Sequence, residues 1–153
     1  MPGGARLRGS VDLIERAADG KTLRVTDHKT GLDRTRDGMI VGGGEVLQPV
    51  LYGLAVEAAL RTPVTQARLF FCTARGGFAE RVVTLDDRAR AQGRQVLETI
   101  DRAIADGFLP PAPRDDACAR CDFHLVCGPH EEERLRRKDP QRLADLHALR
   151  RQP

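Results

Sequence analysis

The sequence of 153 residues contains no tryptophan and a single tyrosine, Tyr52. This scarcity argues against an aromatic platform on which nucleic-acid bases would stack. No apolar run approaches the roughly 20 residues of a membrane span. The N-terminal stretch MPGGARLRGS also lacks the apolar core of a signal peptide. The sequence therefore predicts a cytoplasmic protein without a membrane segment.

Lysine is scarce as well: only Lys21, Lys29 and Lys138 among the 25 basic residues are lysines, and the others are arginines. The hydrophobic content of 41% and the charged content of 31% are typical of one globular domain. Arginine binds phosphate well, but a net charge of +3 is too small to identify a partner. The C-terminal arginines, Arg134 to Arg151, are interspersed with acids, which favours a solvated helix face.

The hydrophobic pattern predicts two β-hairpins, each followed by a helix. The first hairpin turns at Asp19-Gly20, the second turns over 75–77, and a Gly-rich loop covers 32–44. The first helix has a predicted apolar stripe of Leu47, Val50, Leu51, Leu54, Ala55 and Ala58. The second, over about 86–106, has a predicted capping box of Thr84 and Asp87, a stripe of Val96, Ile100, Ala103 and Ile104, and an end at Gly107. This order predicts an α/β (α+β) domain with a mixed central sheet flanked by helices.

The stretch VTDHKTG places an acid and a base on one face of a predicted strand. Val25, Asp27 and Lys29 alternate, so their side chains leave the strand on the same side, whereas His28 points to the other side. Asp12 lies on the partner strand of the hairpin. Two carboxylates on paired strands are suited to a hard divalent cation, with Lys29 beside it to orient water. The alternative is an exposed Asp–Lys ion pair of little energetic value.

Two polar residues interrupt the apolar stripe of the first helix. Gln48 and Tyr52 are four residues apart and therefore face the same way. They either line a site or lie at the edge of the core with their polar ends in water.

Three of the four cysteines occur within ten residues, in CARCDFHLVC. The spacing of Cys118, Cys121 and Cys127 suits zinc or an iron–sulfur cluster. A fourth ligand would come from Cys72, His124, His130, solvent or sequence that is absent here. Cys72 lies in an apolar strand and is predicted to be a small buried hydrophobic residue.

Four motifs follow one another over about 10 to 130: GSVDLIER, LRVTDHKTG, QPVLYGLA and CARCDFHLVC. In this order and spacing they resemble the RecB-like branch of the PD-(D/E)XK nucleases, and more narrowly the AddB-type iron–sulfur nuclease domains and the CRISPR adaptation exonucleases. The resemblance implies a restriction-endonuclease-like core over 1–110, followed over 111–153 by a cysteine-cluster segment and a basic helical tail. It also implies an exonuclease acting on single-stranded DNA within a helicase–nuclease system for DNA repair or recombination.

The resemblance further implies roles for individual residues. Asp12 and Asp27 would bind Mg²⁺ or Mn²⁺ together with the backbone carbonyl of His28, and Lys29 would be the catalytic lysine. Two more residues would line the site and position the DNA strand or the lysine: Gln48 and Tyr52. Three would be ligands of a [4Fe–4S] cluster: Cys118, Cys121 and Cys127.

One element of the family pattern is missing. The family usually has a helix before the first motif, with a metal-contacting histidine and, near it, the first cluster cysteine. Only about eight residues precede GSVD, and they contain neither histidine nor cysteine. The chain is therefore expected to be a fragment or a degenerate member, with a cluster that is open, labile or replaced by zinc.

Three alternatives belong to other functional classes. One is a non-catalytic DNA-binding or scaffold module that retains the nuclease fold and the metal cluster. Another is a zinc-ribbon-like module that uses the three clustered cysteines and His130. A thiol oxidoreductase on Cys118 and Cys121 is the weakest, because that motif follows a Pro-rich loop instead of a strand.

Overall fold

The computed structural model describes residues 7–114, 117–128 and 130–153. Residues 1–6, where the predicted core begins, lie outside this description. The elements in chain order are β1 (Leu13–Arg16), β2 (Leu23–Lys29), α1 (Gln48–Leu60), β3 (Val64–Phe71), β4 (Glu80–Thr84), α2 (Asp87–Ala105), α3 (His124–Cys127), α4 (Glu131–Arg136) and α5 (Ala144–Arg150). Within the described residues, no helix is long and apolar enough to span a lipid bilayer.

The four strands form one mixed sheet in the order β1-β2-β3-β4. The outer pairs, β1 with β2 and β3 with β4, are antiparallel, whereas the central pair, β2 with β3, is parallel. A parallel pair needs a crossover between its strands, and α1 provides it. Both predicted hairpins and the mixed sheet are therefore confirmed.

Strand β2 buries residues on both of its faces. Leu23 and Val25 face α1 in the core, where their exposed fractions are 2% and 1%. Thr26 points the other way and is also fully buried, because Arg68 covers it and donates from Nε to its hydroxyl at 3.1 Å. Glu15 lies over the same point and forms an ion pair with Arg68 at 3.5 Å. A network of charged side chains thus covers this part of the sheet.

Helix α1 begins with proline in its first turn, as predicted, but it buries a different face. Its buried residues are Pro49, Val50, Gly53 and Val56. Of the predicted stripe only Val50 is fully buried, and Ala58 is exposed. Apolar residues surround α1 almost completely, so hydrophobic periodicity does not select one face. Packing against β2 and β3 makes that selection.

Helix α2 is capped by Asp86, whose carboxylate accepts from the backbone N–H of Ala89 at 2.8 Å. The predicted capping box is wrong, because Thr84 is the last residue of β4 and pairs with Gln66. Gly107, at φ +60°, ends this helical segment as predicted.

The predicted apolar stripe of α2 is only partly correct. Val96 is fully buried, but Ile100 and Ile104 are 38% and 61% exposed. The helix approaches α1 most closely at Gly93, where a Cβ atom would lie 2.6 Å from Cγ1 of Val50. Because this contact lies near the middle of α2, the residues toward its C-terminus extend beyond the core.

The C-terminal residues pack on the loop between β2 and α1. The backbone N–H groups of Val41 and Gly43 donate to the carbonyls of Pro153 and Gln152, at 2.7 and 2.9 Å. Helix α5 also contacts α2, where Asp145 and Arg102 form an ion pair at 2.9 Å. The end of the chain is thus joined to the segment that follows the predicted catalytic strand.

Candidate active site

The centre of the site is a contact between the end of β2 and the start of α1. Asp27 and Lys29 lie on the same face of β2, and Lys29 Nζ is 2.6 Å from Asp27 Oδ2. The same ammonium donates to Oε1 of Gln48, the first residue of α1, at 2.5 Å. The structure therefore brings together three of the predicted residues, including two that are 19 positions apart.

Asp27 is a buried carboxylate with an incompletely satisfied oxygen. Its side chain is only 9% exposed, whereas that of Lys29 is 30% exposed. Although Lys29 forms an ion pair with Oδ2, this oxygen accepts no hydrogen bond of good geometry from the described residues. Such an atom costs free energy unless a ligand or ion satisfies it. A buried, underused carboxylate oxygen is therefore a suitable ligand for a hard divalent cation.

Asp12 occupies a different position from the one its motif predicts. It lies one residue before β1 instead of within it, and its Oδ2 accepts from the backbone N–H of His28 at 2.7 Å. The same oxygen is 3.8 Å from Nδ1 of His28. Because the β1–β2 ladder begins only at Leu13, the Asp12 carboxylate pairs with a backbone group beyond the ladder's end. The described contacts of Asp12 thus go to His28 and leave Oδ1 available.

The His28 side chain points away from Asp27 and Lys29, as the strand alternation predicts. It is half-exposed, and its ring meets Phe70 edge to face with centroids 5.9 Å apart. This orientation leaves the backbone carbonyl as the group of His28 relevant to the predicted metal site.

Tyr52 lies one turn after Gln48 on α1 and is partly buried. Its ring packs against the core cluster that contains Val25, and Cε1 lies 3.7 Å from where a Cβ atom would stand on Gly9. Tyr52 therefore closes the side of the site that is next to the N-terminal segment. Among the described residues, Gln48 contacts Lys29 through a hydrogen bond, and no such bond joins Tyr52 to Lys29.

An ion-paired loop beside the site was not predicted from the sequence. Arg81, on β4, binds Asp33 Oδ2 at 2.7 Å and also pairs with Asp37. Arg81 is opposite Leu69, which is in turn opposite Asp27, so the three residues form one row across the sheet. The loop after Lys29 is thereby held against the strand ends.

Burial of Asp33 acts to raise its pKa. Hydrogen bonds from Thr35 and Arg81 outweigh this effect and hold the pKa below its ordinary value. The available signal was local: the Asp33 side chain accepts from the N–H of Thr35 two residues later, which is a common turn. Its pairing with Arg81, 48 positions away, has no local signal.

The three clustered cysteines line one largely apolar cavity of about 760 Å³ at the C-terminal side of the molecule. Partial burial, together with the Glu131 carboxylate, raises the pKa of the Cys118 thiol. Glu131 is also 2.9 Å from Nε2 of His124. In the described part of the chain, no group of three or more His, Cys, Asp or Glu side chains is arranged to hold a metal ion. The thiols thus share a cavity but do not form a ready metal site.

Cys72 lies apart from that cavity, just after β3. It is half-buried, its N–H donates to the carbonyl of Lys29 at 3.0 Å, and its sulfur is 3.5 Å from the same oxygen. Its structural effect is to tie the backbone of Lys29 to the neighbouring strand.

A mixed four-stranded sheet with packed helices and a buried acid–lysine pair at a strand end has the architecture of a restriction-endonuclease-like fold. The family model of the PD-(D/E)XK nuclease superfamily matches residues 1–128. The chain therefore belongs to this superfamily, whose members are generally nucleases and usually use divalent metals. No curated protein and no solved structure matches the chain significantly.

Proposed function

We propose that this chain is a metal-dependent deoxyribonuclease domain that hydrolyses phosphodiester bonds from the ends of single-stranded DNA. The observation that carries the proposal is the contact among Asp27, Lys29 and Gln48 in a chain of this superfamily. A buried acid, an ammonium and a polar acceptor meet there at the edge of a sheet, where an extended substrate has access.

The residues that would hold Mg²⁺ or Mn²⁺ are Asp12, Asp27 and the backbone carbonyl of His28. Asp27 Oδ2 is buried and lacks a hydrogen bond from the described residues, and one oxygen of Asp12 is likewise available. Magnesium is commonly bound by one or two carboxylates and several waters, so this small donor set fits. A divalent cation supplies Lewis-acid polarisation of the phosphate and lowers the pKa of the attacking water.

The ammonium of Lys29 would position that water and offset the negative charge that develops on the phosphoryl oxygens. Gln48 restricts the ammonium to one position, because it accepts a hydrogen bond that would otherwise go to solvent. Asp27 keeps the ammonium near the reacting bond by charge attraction. Tyr52, one turn further along α1, would bound the space for the DNA strand.

The decisive experiment measures degradation of end-labelled single-stranded DNA with added manganese. Lys29→Ala and Asp27→Asn are each expected to lower the rate about 100-fold or more, since each removes a charged group aimed at the reaction. Lys21→Ala is the matched control, because Lys21 is an exposed lysine in the turn of the same hairpin and should leave the rate unchanged. Retention of parental activity by Lys29→Ala would refute the assigned site.

A non-catalytic nucleic-acid-binding module is the second candidate, and the position of Asp12 is the observation that favours it. The Asp12 carboxylate is engaged by His28 instead of facing Asp27. If this arrangement persists in solution, the metal has one firm carboxylate ligand in place of two. Binding of DNA without cleavage in either magnesium or manganese would establish this alternative.

We further propose that the domain works within a helicase–nuclease system for DNA repair or recombination, as the sequence resemblance implies. The thiols of Cys118, Cys121 and Cys127 would hold a [4Fe–4S] cluster or zinc, with the fourth ligand supplied from elsewhere. The shared cavity supports this proposal, but the observed thiol arrangement does not fit a preformed cluster. Metal binding would therefore have to draw the three sulfur atoms together.

A further inference from the structure

A cavity of about 360 Å³ lies between the β2–α1 loop and the C-terminal residues. Four arginines line it: Arg34, Arg36, Arg114 and Arg150. Two acids also line it, but each already has a partner, since Asp37 pairs with Arg81 and Glu45 pairs with Arg114. Three of the four guanidinium groups form no ion pair with any described residue: Arg34, Arg36 and Arg150. The cavity therefore carries an excess of positive charge.

Two of these arginines are held close together despite their like charge. Arg114 donates to the carbonyl of Gly43 at 3.0 Å, and Arg150 donates to the carbonyl of Ala112. Burial and the neighbouring Arg114 charge lower the pKa of Arg150. An anion between the two groups would relieve this repulsion. The backbone contacts fix their positions before any ligand arrives, which limits the entropy cost of binding.

The cavity is also built on the segment that joins the two halves of the candidate active site. Arg34 and Arg36 follow Lys29 by five and seven residues, and their loop is anchored by the Asp33–Arg81 pair. At the other end of the segment, Val46 lines the cavity two residues before Gln48. Two residues span at most about 7 Å, so this wall of the cavity lies near the catalytic ammonium.

We infer that this arginine cavity is a second phosphate-binding site, which holds the backbone of the DNA strand a few phosphates from the scissile bond. The guanidinium fork matches the two oxygens of a phosphodiester, and several forks in one cavity suit the repeated charge of a strand. The inference rests on the proposed function for the identity of the strand. It does not require that the chain cleave what it binds.

The test compares the binding of a fluorescent oligodeoxythymidylate to two double variants, in EDTA so that nothing is cleaved. Arg34→Gln/Arg36→Gln removes two cavity charges that form no ion pair with described residues. Arg88→Gln/Arg94→Gln removes two exposed charges from α2 and is the matched control. The loop variant is expected to bind about tenfold more weakly. Its salt dependence should fall by about 1.4 in slope, or about 0.7 for each lost phosphate contact on a single strand.

Equal affinity of the two double variants would overturn the inference, and so would a parent protein that does not bind the strand. Added inorganic phosphate should weaken binding by the parent more than binding by the loop variant, because it competes for the cavity. A phosphate effect of equal size on both would also count against the site. A parallel cleavage assay separates the two proposals: strand binding through the loop arginines without cleavage rejects only the nuclease, and cleavage with unaltered binding by the loop variant rejects only the cavity.

Discussion

At Lys29 a single ammonium meets two oxygens of different character. Asp27 supplies a carboxylate oxygen at 2.6 Å and Gln48 supplies a neutral amide oxygen at 2.5 Å. The charge attraction keeps the group near the acid, and the amide defines its direction. Since Lys29 is 30% exposed, solvent weakens both contacts, and the value of Gln48 lies in orientation more than in stability.

Gln48→Ala should therefore lower kcat for DNA cleavage about tenfold, which corresponds to about 1.4 kcal/mol, with little change in KM. The ammonium would remain in place but would sample more directions. Steady-state kinetics on a labelled strand measures this effect, together with a thermal unfolding curve. Gln66→Ala, an exposed glutamine on β3, serves as control. A loss of kcat that is matched by the control, or a large fall in KM, would contradict a positioning role.

The cysteine-containing segment is the element whose structure depends least on its own residues. Helices α3 and α4 have four and six residues, which is too short to be stable in isolation. Three apolar side chains beside the thiols are strongly exposed: Phe123 at 69%, Leu125 at 93% and Val126 at 84%. Because metal binding and folding are coupled in small thiolate sites, a bound metal would add the missing stability.

Anaerobic purification or reconstitution should thus give a protein that contains iron with visible absorption, or zinc without it. Cys121→Ser should reduce the metal content and make the segment after residue 117 more sensitive to proteolysis. Cys72→Ser should change neither property, because Cys72 lies against the backbone of Lys29. Parent protein that binds neither iron nor zinc would refute the metal proposal.

Across the whole molecule, carboxylate–arginine pairs join elements that are distant in sequence. Glu57 on α1 binds Arg90 on α2 and accepts from the N–H of Val64 at the start of β3. Hydrogen bonding from Arg90, opposed by burial, lowers the pKa of Glu57. Hydrogen bonding from Arg24 similarly lowers the pKa of Glu15 on the other face of the sheet.

These lowered pKa values predict that the fold is sensitive to acid. An acid whose pKa is lower in the folded state stabilises the protein above its unfolded pKa of about 4.5, and this contribution is lost as the pH falls through the folded value. Glu57→Gln should lower the free energy of unfolding at neutral pH by roughly 1–2 kcal/mol. It should also flatten the decline in Tm below about pH 5.

Thermal unfolding in metal-free buffer between neutral and acidic pH measures both effects. Glu98→Gln is the matched control, because Glu98 is an exposed residue of α2. An equal response of the two variants to acid would contradict the assignment of acid sensitivity to the Glu57–Arg90 pair.

The sequence alone determined features that depend on neighbours along the chain. Alternation along β2 places Asp27 and Lys29 on one face and His28 on the other, because successive side chains of a strand leave on opposite sides. The Pro49 position and the two hairpin turns are equally local, and all were predicted. The roles of the site residues and of the clustered cysteines stay predictions.

Tertiary packing decided the rest, because those contacts join positions far apart in the chain. The buried face of α1 was set by the strands beneath it, and the direction of Asp12 was set by a free backbone N–H on β2. Arg81 anchors a loop 48 residues away from it, and Arg150 meets Arg114 in one cavity. No local periodicity encodes such meetings, since they arise only when the sheet, its crossover helix and the C-terminal residues pack together.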